Sequence, residues 1–487
     1  MVNSTKMHTF DSESNIEESS LKWCSVPLSD VISRGKRLEA SSYDVQGKVA
    51  MQTIKAGKYG YTSLLSPDSL VKAAYHAPRF KRNYVEKNSP ESVGFLGSAE
   101  MLDIKPSADK FITKALADKL DLFVKEETVL MSCSGTIGRV SFANSSLIPF
   151  ALSQHIIKIF CHKYSGYIYT CLLNDLVQKQ IQSLVYGAVI QEIEPEHLGK
   201  VIIPNAPIDI KERIHNLIIK SYELRDESNE LIDQATDLLI DELKLPAINE
   251  FKQTKIKSFS SVNAFNVKLS DLNYRADASY HLPIVDAIIE HLKEHAAEIT
   301  TIGDSRISSD VVLPGRFKRV YVESDYGVKF LGGKEMKQLD PSSEKYLSKK
   351  AHAKQLEGSL GIKENSILTP ARGSLGEVVM PCKHFYNWAI SDNMMQILSN
   401  DAVCGYVYIF LNSEYGKALI KRFTYGGVVD AIEPWHIQQV QIPLLKDKNM
   451  QAKINNLAKR ANEKRYEAYL LEQEALKIMD EEVIYAK

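Results

Sequence analysis

The chain is 487 residues long, with 60 lysines and arginines against 61 aspartates and glutamates, a formal net charge of -1. That length exceeds one ordinary core, so two or more domains are expected, each with its own apolar interior. Hydrophobic residues at 44% and charged residues at 25% are usual for a globular chain, and no run approaches the roughly 20 uninterrupted apolar residues of a membrane span, which excludes a membrane role.

Residues 1–20 are rich in serine and acid, with no apolar run behind a basic stretch, and read as a disordered tail rather than a secretory signal. The six cysteines, Cys24, Cys133, Cys161, Cys171, Cys382 and Cys404, form no C-x-x-C pair. That argues against a zinc site and a disulfide framework, and fits a reducing cytoplasm. A near-neutral total charge is awkward for a nucleic-acid partner, but the acidic stretches at 223–242 and 472–482 leave room for local basic patches elsewhere.

From 21 to 206, short apolar runs such as 147–160 alternate with glycine turns and helical patches, the pattern of an α/β (α+β) domain. Arg79, Lys81 and Arg82 put three cations within four residues. Such a cluster neutralises phosphates, and an arginine in it reaches O6 and N7 of guanine; alone, it is equally a solvated strand edge. The turn Ser134-Gly-Thr136-Ile-Gly138, followed by Arg139, offers backbone and hydroxyl donors for close approach to phosphate, or is a tight turn with no ligand. Ser153, Gln154 and His155 carry groups able to read base edges, and Tyr186-Gly187 presents a ring and flexible backbone; each also fits a satisfied loop residue. His197, in Ile-Glu-Pro-x-His, has too few ligands around it for a metal and reads as structural, at a turn or helix start.

Residues 207–246 predict one long helix. Ile210, Ile214, Leu217, Ser221, Leu224, Ser228, Leu231, Ala235 and Leu238 fall at alternating spacings of four and three, the stripe of a coiled coil. At 1.5 Å per residue it extends about 54 Å, which suggests a spacer rather than a core element; an amphipathic helix packed on its own domain has the same periodicity. Pro246 ends it, and 247–260, rich in Lys and Ser, reads as a linker.

Then the text repeats. Ser134-Gly-Thr-Ile-Gly138 returns 238 residues later as Arg372-Gly-Ser374-Leu-Gly376. Gly166-Tyr167, Tyr186-Gly187, Ile193-Glu-Pro-Glu-His197 and Ile203-Pro204 return 239 later as Gly405-Tyr406, Tyr425-Gly426, Ile432-Glu-Pro-Trp-His436 and Ile442-Pro443. Arg79-Phe-Lys-Arg82 returns as Arg316-Phe-Lys318-Arg319, and Ser391, Asp392 and Asn393 answer Ser153 to His155. A second domain is therefore expected over 261–446, with runs such as 378–380 as strand candidates, and a second helix over 447–487. Its seam is Met450, Ile454, Leu457, Ala461, Lys464, Ala468, Leu471, Ala475 and Ile478, where Lys464 and the serines of the first helix are polar defects that set register. The pattern is a tandem duplication, whose two helices are expected to pair as an antiparallel coiled coil about a pseudo-two-fold axis.

This order of domain, helix, domain, helix resembles the specificity subunit of type I restriction-modification systems. The resemblance is carried by the Gly-x-x-Gly segments at 135–138 and 373–376, the Tyr-Gly followed by Ile-Glu-Pro-x-His, the Ile-Pro closing each domain and the helix after it. It implies target-recognition domains that each read half of a bipartite DNA site, and the unequal loops, Ala188-Val189 against Gly427-Val428, lead to the expectation of an asymmetric one. It also implies helices that set the gap and dock two methyltransferase subunits, here through Ile214, Leu217, Leu224, Leu231, Leu238, Ile454, Leu457, Leu471 and Ile478. S-adenosylmethionine is expected in that partner and no cofactor in this chain; a restriction motor subunit is a further partner left open. The residues expected to face double-stranded DNA are Arg79, Lys81, Arg82, Ser134, Thr136, Arg139, Gln154, Tyr186, Arg316, Lys318, Arg319, Arg372, Ser374, Asn393 and Tyr425. No Asn/Asp-Pro-Pro-Tyr/Phe tetrapeptide, P-loop, H-E-x-x-H or G-x-S-x-G is present, so the chain is expected not to be an enzyme. The competing readings are a coiled-coil protein scaffold without DNA specificity and a nuclease with dispersed acids.

Overall fold

A computed structural model describes residues 26–33, 43, 45–187, 190–253, 257–259, 262–272, 274–341 and 345–486. The expected tail over 1–20, Cys24, the loop residues Ala188 and Val189, and positions 254–256 and 260 of the expected linker lie outside the described residues.

Two long helices organise the molecule. The first, Ile208–Leu243, spans 36 residues and stops at Lys244, whose left-handed backbone (φ 48°) turns the chain ahead of Pro246. The second, Lys448–Ile478, spans 31 residues and starts where the Asp447 carboxylate accepts the backbone N–H groups of Asn449 and Met450. Bonds between them join Arg213 to Glu482, Ser221 to the Ala468 carbonyl, Arg225 to Glu472 and Arg465 to Ser228. From the first of these bonds to the last the partner falls from Glu482 to Arg465 while the chain rises from Arg213 to Ser228, so the two run antiparallel. Fully buried Ala235, Ala461, Ala468 and Ala475 let them approach closely.

The expectation that these helices are spacers and not core elements needs correcting. Ile210, Ile214, Ile218 and Tyr222 share a core with Ala475, Ile478, Met479 and Val483 and with strands of the first half. Ile232, Ala235, Leu239 and Leu243 join Ile454, Leu457, Ala458 and Ala461 in the core of the second half. Each core thus takes one end from each helix, which needs a broader apolar face than pairing alone.

In the first half, Val71–Tyr75, Ile156–Cys161, Val129–Ser132 and Val140–Phe142 form an antiparallel sheet in that order. A smaller sheet sets Ser92–Leu96 antiparallel to Lys110–Thr113 and parallel to Ala151–Leu152. In the second half, Ser308–Val312, Met394–Ser399 and Ser366–Pro370 form one antiparallel sheet. Gly327–Leu331 lies antiparallel to Tyr346–Ser348 and parallel to Ala389–Ile390 in another. Such small, mostly antiparallel sheets belong to the α+β rather than the α/β class. The run 378–380 is not a strand; Val379 makes only an isolated bridge to Leu368.

Ser165–Leu173 and Cys404–Asn412 are helices buried nearly all round. Each seats its glycine on a long helix. The Gly166 N–H donates to His215 Nδ1 at 3.2 Å and the Gly405 N–H to Asn455 Oδ1 at 2.8 Å. Tyr167 and Tyr406, one residue on, donate their hydroxyls to the carbonyls of Pro204 and Pro443 at 2.7 and 2.6 Å. These bonds fix each Gly-Tyr pair against the Ile-Pro that closes the same half.

Part of the expected linker is structured. Ile248–Gln253 is helical, Phe251 is buried edge-on to Tyr415, and the Tyr415 hydroxyl donates to the Pro246 carbonyl at 2.6 Å. The halves also touch directly. Asp103 and Gln338 form a β-bridge, and the Ile104 N–H donates to the Lys337 carbonyl at 3.0 Å.

Candidate nucleic-acid interface

The glycine turn and the Tyr-Gly loop of the first half are adjacent because the chain between them folds back over the core. The Gly135 N–H donates to the Gln191 carbonyl and the Ile193 N–H to the Cys133 carbonyl, while Ser134 and Tyr186 both bridge Glu192. Gly135, Gly138 and Gly187 have φ of 76°, 83° and 103°, a region costly for side-chain-bearing residues. A Cβ at Gly187 would lie 2.2 Å from the Ile190 carbonyl oxygen, whereas at Gly135 nothing lies within 4 Å, so that backbone is open to a ligand.

Side chains then collect around two glutamates. Arg79 donates to both carboxylate oxygens of Glu192, at 3.0 and 2.8 Å. The Tyr186 hydroxyl donates to Glu194 at 2.7 Å, and His76 Nε2 lies 2.8 Å from the same carboxylate. The bond to Glu194 pushes the Tyr186 phenol up to about 12. His76 ends above its usual value because bonds to the Ala77 carbonyl and Glu194 outweigh its burial, and Glu194 is held below the carboxylate range by His76 and then Tyr186.

Beside this cluster lies a cleft of about 390 Å³ lined by Arg82, Tyr84, Lys110, Ser153 and His155. The Arg82 guanidinium stands 5.7 Å from the Phe95 ring centre. Burial, and then the Arg82 cation, lower the His155 pKa, so the ring is neutral at pH 7 and can donate at one nitrogen and accept at the other. Gln154 Nε2 approaches His155 Nε2 at 3.4 Å, and Gln154 Oε1 is buried with no hydrogen-bond partner among the described residues.

The second half arranges its loops in the same way. The Gly373 N–H donates to the Asp430 carbonyl and the Ile432 N–H to the Ala371 carbonyl, and Arg372 and Tyr425 both bridge Ala431. The Tyr425 hydroxyl donates to Glu433 at 2.6 Å, and Arg372 reaches that carboxylate at 3.4 Å. Ser374 and Tyr425 line a cleft of about 610 Å³ with Asp277 and Lys421. Arg319 pairs with Asp392 and stands 5.1 Å from the Phe330 ring centre. The Asn393 carbonyl accepts the Ala371 N–H at 2.7 Å, and the Asn393 side chain is exposed.

The histidines of the two Ile-Glu-Pro-x-His segments close helix starts. The Glu194 N–H donates to His197 Nδ1 at 3.2 Å and the Glu433 N–H to His436 Nδ1 at 3.1 Å, a capping box in each case. Burial, with Arg275 nearby, lowers His436 to about 4, which keeps it an acceptor.

The solved structures that this chain resembles are type I restriction-modification S subunits. The S subunit from M. genitalium is 14% identical, with a TM-score of 0.33, over 87% of this chain and 95% of that one. The HsdS subunit from Thermoanaerobacter tengcongensis is 12% identical, with a TM-score of 0.25, over 86% and 98%. A third chain, from a type I R-M system described for its complex assembly and conformational transition, is 12% identical, with a TM-score of 0.24, over 80% and 92%. No protein-family profile and no curated protein matches.

Of the expected DNA-facing residues, Arg79, Ser134, Thr136 and Tyr186 surround one loop cluster, with Arg82 and Gln154 at the adjoining cleft. Arg372, Ser374, Asn393 and Tyr425 surround the other, with Arg319 on Asp392. Lys81, Arg316 and Lys318 are exposed. The Arg139 N–H donates to the Ser132 hydroxyl and its carbonyl accepts the Ser132 N–H, and among the described residues nothing ties its guanidinium to the cluster. Most of the expected docking residues face the interior of this chain. Ile214, Leu224, Leu231, Ile454, Leu457 and Ile478 are buried within the chain, and Leu217, Leu238 and Leu471 are half-buried. Sequence reasoning missed Glu192, His76 and Lys110 at the site. It had a signal for the glutamate that holds each tyrosine, since Glu194 and Glu433 each follow their tyrosine by eight residues.

Among the described residues, no group of three or more His, Cys, Asp or Glu is placed to hold a metal ion, and no helix is long and apolar enough to cross a membrane.

Proposed function

We propose that this chain is the DNA-reading specificity subunit of a type I restriction-modification system. It arises by tandem duplication, with recognition domains over 21–206 and 261–446, and helices over 207–246 and 447–487 that pair as an antiparallel coiled coil. One observation carries the reading. Two loop clusters with the same backbone bonds and the same Tyr-to-Glu contact belong to cores built on opposite ends of an antiparallel helix pair. Such an object presents two similar but unequal surfaces at a fixed separation, which suits a bipartite, asymmetric target read one half-site per domain.

Phosphate contacts by exposed cations such as Lys81 and Lys318 set register, and side chains at the clefts specify bases. Two methyltransferase subunits dock on the outer helix faces and supply S-adenosylmethionine and adenine chemistry on a flipped base, while this chain contributes no catalytic group. The assembly works in the cytoplasm, where a restriction motor subunit has access to it.

The test is binding of the full chain to duplex DNA at two salt concentrations, with mapping of methylated adenines in host DNA in the presence and absence of the chain. Affinity is expected to fall steeply with salt and methylation at a two-part motif to depend on the chain. Salt-insensitive binding with an unchanged methylation map would favour a protein scaffold, and plasmid cleavage by the isolated chain with magnesium would favour a nuclease.

A further inference from the structure

The run Arg-Phe-Lys-Arg occurs twice, so each half owns a first and a third-cation arginine: Arg79 and Arg82, then Arg316 and Arg319. The halves treat them oppositely. In the first half Glu192 takes Arg79, leaving Arg82 at the cleft against Phe95 with no carboxylate in ion-pair distance among the described residues. In the second half Asp392 takes Arg319, and Arg316 is exposed with no carboxylate partner among the described residues.

The difference traces to two positions in the repeat. Glu192 is answered by Ala431, and Asp392 by Gln154. Each carboxylate is therefore present in one half and absent from the other, at a place where the same backbone accepts a neutral residue. Neither is needed to form its loop. The Tyr-Gly loop closes by the same pair of backbone bonds on Ala431 as on Glu192, and the N–H groups of His155 and Asn393 both donate to the preceding serine hydroxyl.

We propose that Glu192 and Asp392 are specificity-determining residues that select which arginine of the duplicated run is free for DNA: Arg82 in the first half and Arg316 in the second. The inference rests on the DNA-reading function above. An exposed guanidinium on a carboxylate is only weakly held, yet its charge is neutralised towards a distant polyanion, so it adds little to sequence-independent attraction. The unmasked arginine sits at the third-cation position in one half and the first in the other, so the two domains address different points of their half-sites with the same run. That makes the target asymmetric.

Glu192→Ala and Asp392→Gln copy residues the chain already uses at the matching positions, so both variants are expected to fold. Each is expected to raise affinity of the full chain for a duplex of random sequence by about three- to tenfold at low salt, and to steepen the log-log salt slope by about 0.9 for the one arginine released. Selection from a randomised duplex pool should show altered preference in one half-site only. Adding Arg79→Ala to Glu192→Ala, or Arg319→Ala to Asp392→Gln, should remove the gain, and each alanine should cost more affinity in the variant than in the parent. Loss of cognate affinity with no gain on random duplex would overturn the proposal, because it would make the carboxylate a direct reader of a cytosine amino group. Additive effects of the paired substitutions would overturn it too. If the parent chain shows no salt-dependent duplex binding, the DNA-reading function itself fails.

Discussion

Asp103 sits where the two halves touch, and burial pushes its carboxyl up to about 7 against the pull of Lys337, with Glu100 and Glu377 adding to the rise. In the unfolded chain the group titrates near 3.8. Between those values the folded protein holds a proton that the unfolded chain has lost, so this group's contribution to stability falls as pH rises through that window. Asp103→Asn is therefore expected to melt about 2–4 °C above the parent at pH 8, with the difference vanishing towards pH 4; thermal melts across that range check it. Arg225 and Glu472 make the opposite case. The guanidinium donates to Glu472 at 2.5 Å and lies 4.1 Å from the Tyr222 ring centre, and Tyr169 donates to the same carboxylate at 2.8 Å. Glu472→Ala leaves a buried cation uncompensated and should cost about 3–5 kcal/mol, read as a lower urea midpoint with an unchanged slope. The matching arginine, Arg465, has no second glutamate, since Ile232 stands at the position that answers Glu472, and it donates to Ser228 and Asn229 instead. The polar seam positions Ser221, Ser228 and Lys464 were legible in the sequence because they break an apolar rhythm. Arg225 and Glu472 were not, since each is an ordinary charge on a helix until the partner 247 residues away is known.

At the level of elements, the repeated Gly-Tyr pairs are the points where buried helices lock on to the long ones. A Cβ at Gly405 would lie 2.4 Å from the Asn455 carbonyl oxygen, and one at Gly166 would lie 2.9 Å from the His215 backbone. Gly405→Ala is expected to destabilise by about 1–3 kcal/mol, and by more than Gly166→Ala, in chemical unfolding of the full chain, because both substitutions meet backbone on a packed helix and the approach at Gly405 is the closer by half an ångström. The glycines, tyrosines and Ile-Pro pairs were visible in the sequence as repeats. Their joint purpose was not, because the bond from Tyr167 to Pro204 depends on how far the intervening chain returns. The helix at Ile248–Gln253 was read as linker because six residues beside lysines and a proline carry too little periodicity, and its burial comes from Tyr415 and His291 far along the chain. Strand pairing was legible only as a mixture of short runs; which sheet each run joins depends on contacts that local pattern does not encode.

For the whole molecule, the decisive fact is that each core borrows from both long helices. The periodicity of four and three announced a pair of rods, but it left open the further apolar positions, such as Ile218 and Tyr222, that turn each rod end inward to a domain. The two halves are therefore joined through shared interior as well as through a connecting segment. Val483 lies buried with Ile54 and Ile181, which precede it by hundreds of residues. Val483→Asp should cost more than about 3 kcal/mol by placing a charge there. Amide hydrogen exchange should then show protection lost in the sheet of the first half before that of the second.

The packing of residues 475–484 against the first half also bears on synthesis. While the chain emerges from a ribosome, the half made first lacks one wall of its interior until translation is almost finished, and Asn174 waits for Asp480, its partner 306 residues downstream. Its apolar strands stay uncovered during that interval, so a stalled or prematurely ended message would leave the earlier-made half, rather than the later one, as the target of chaperones and proteases.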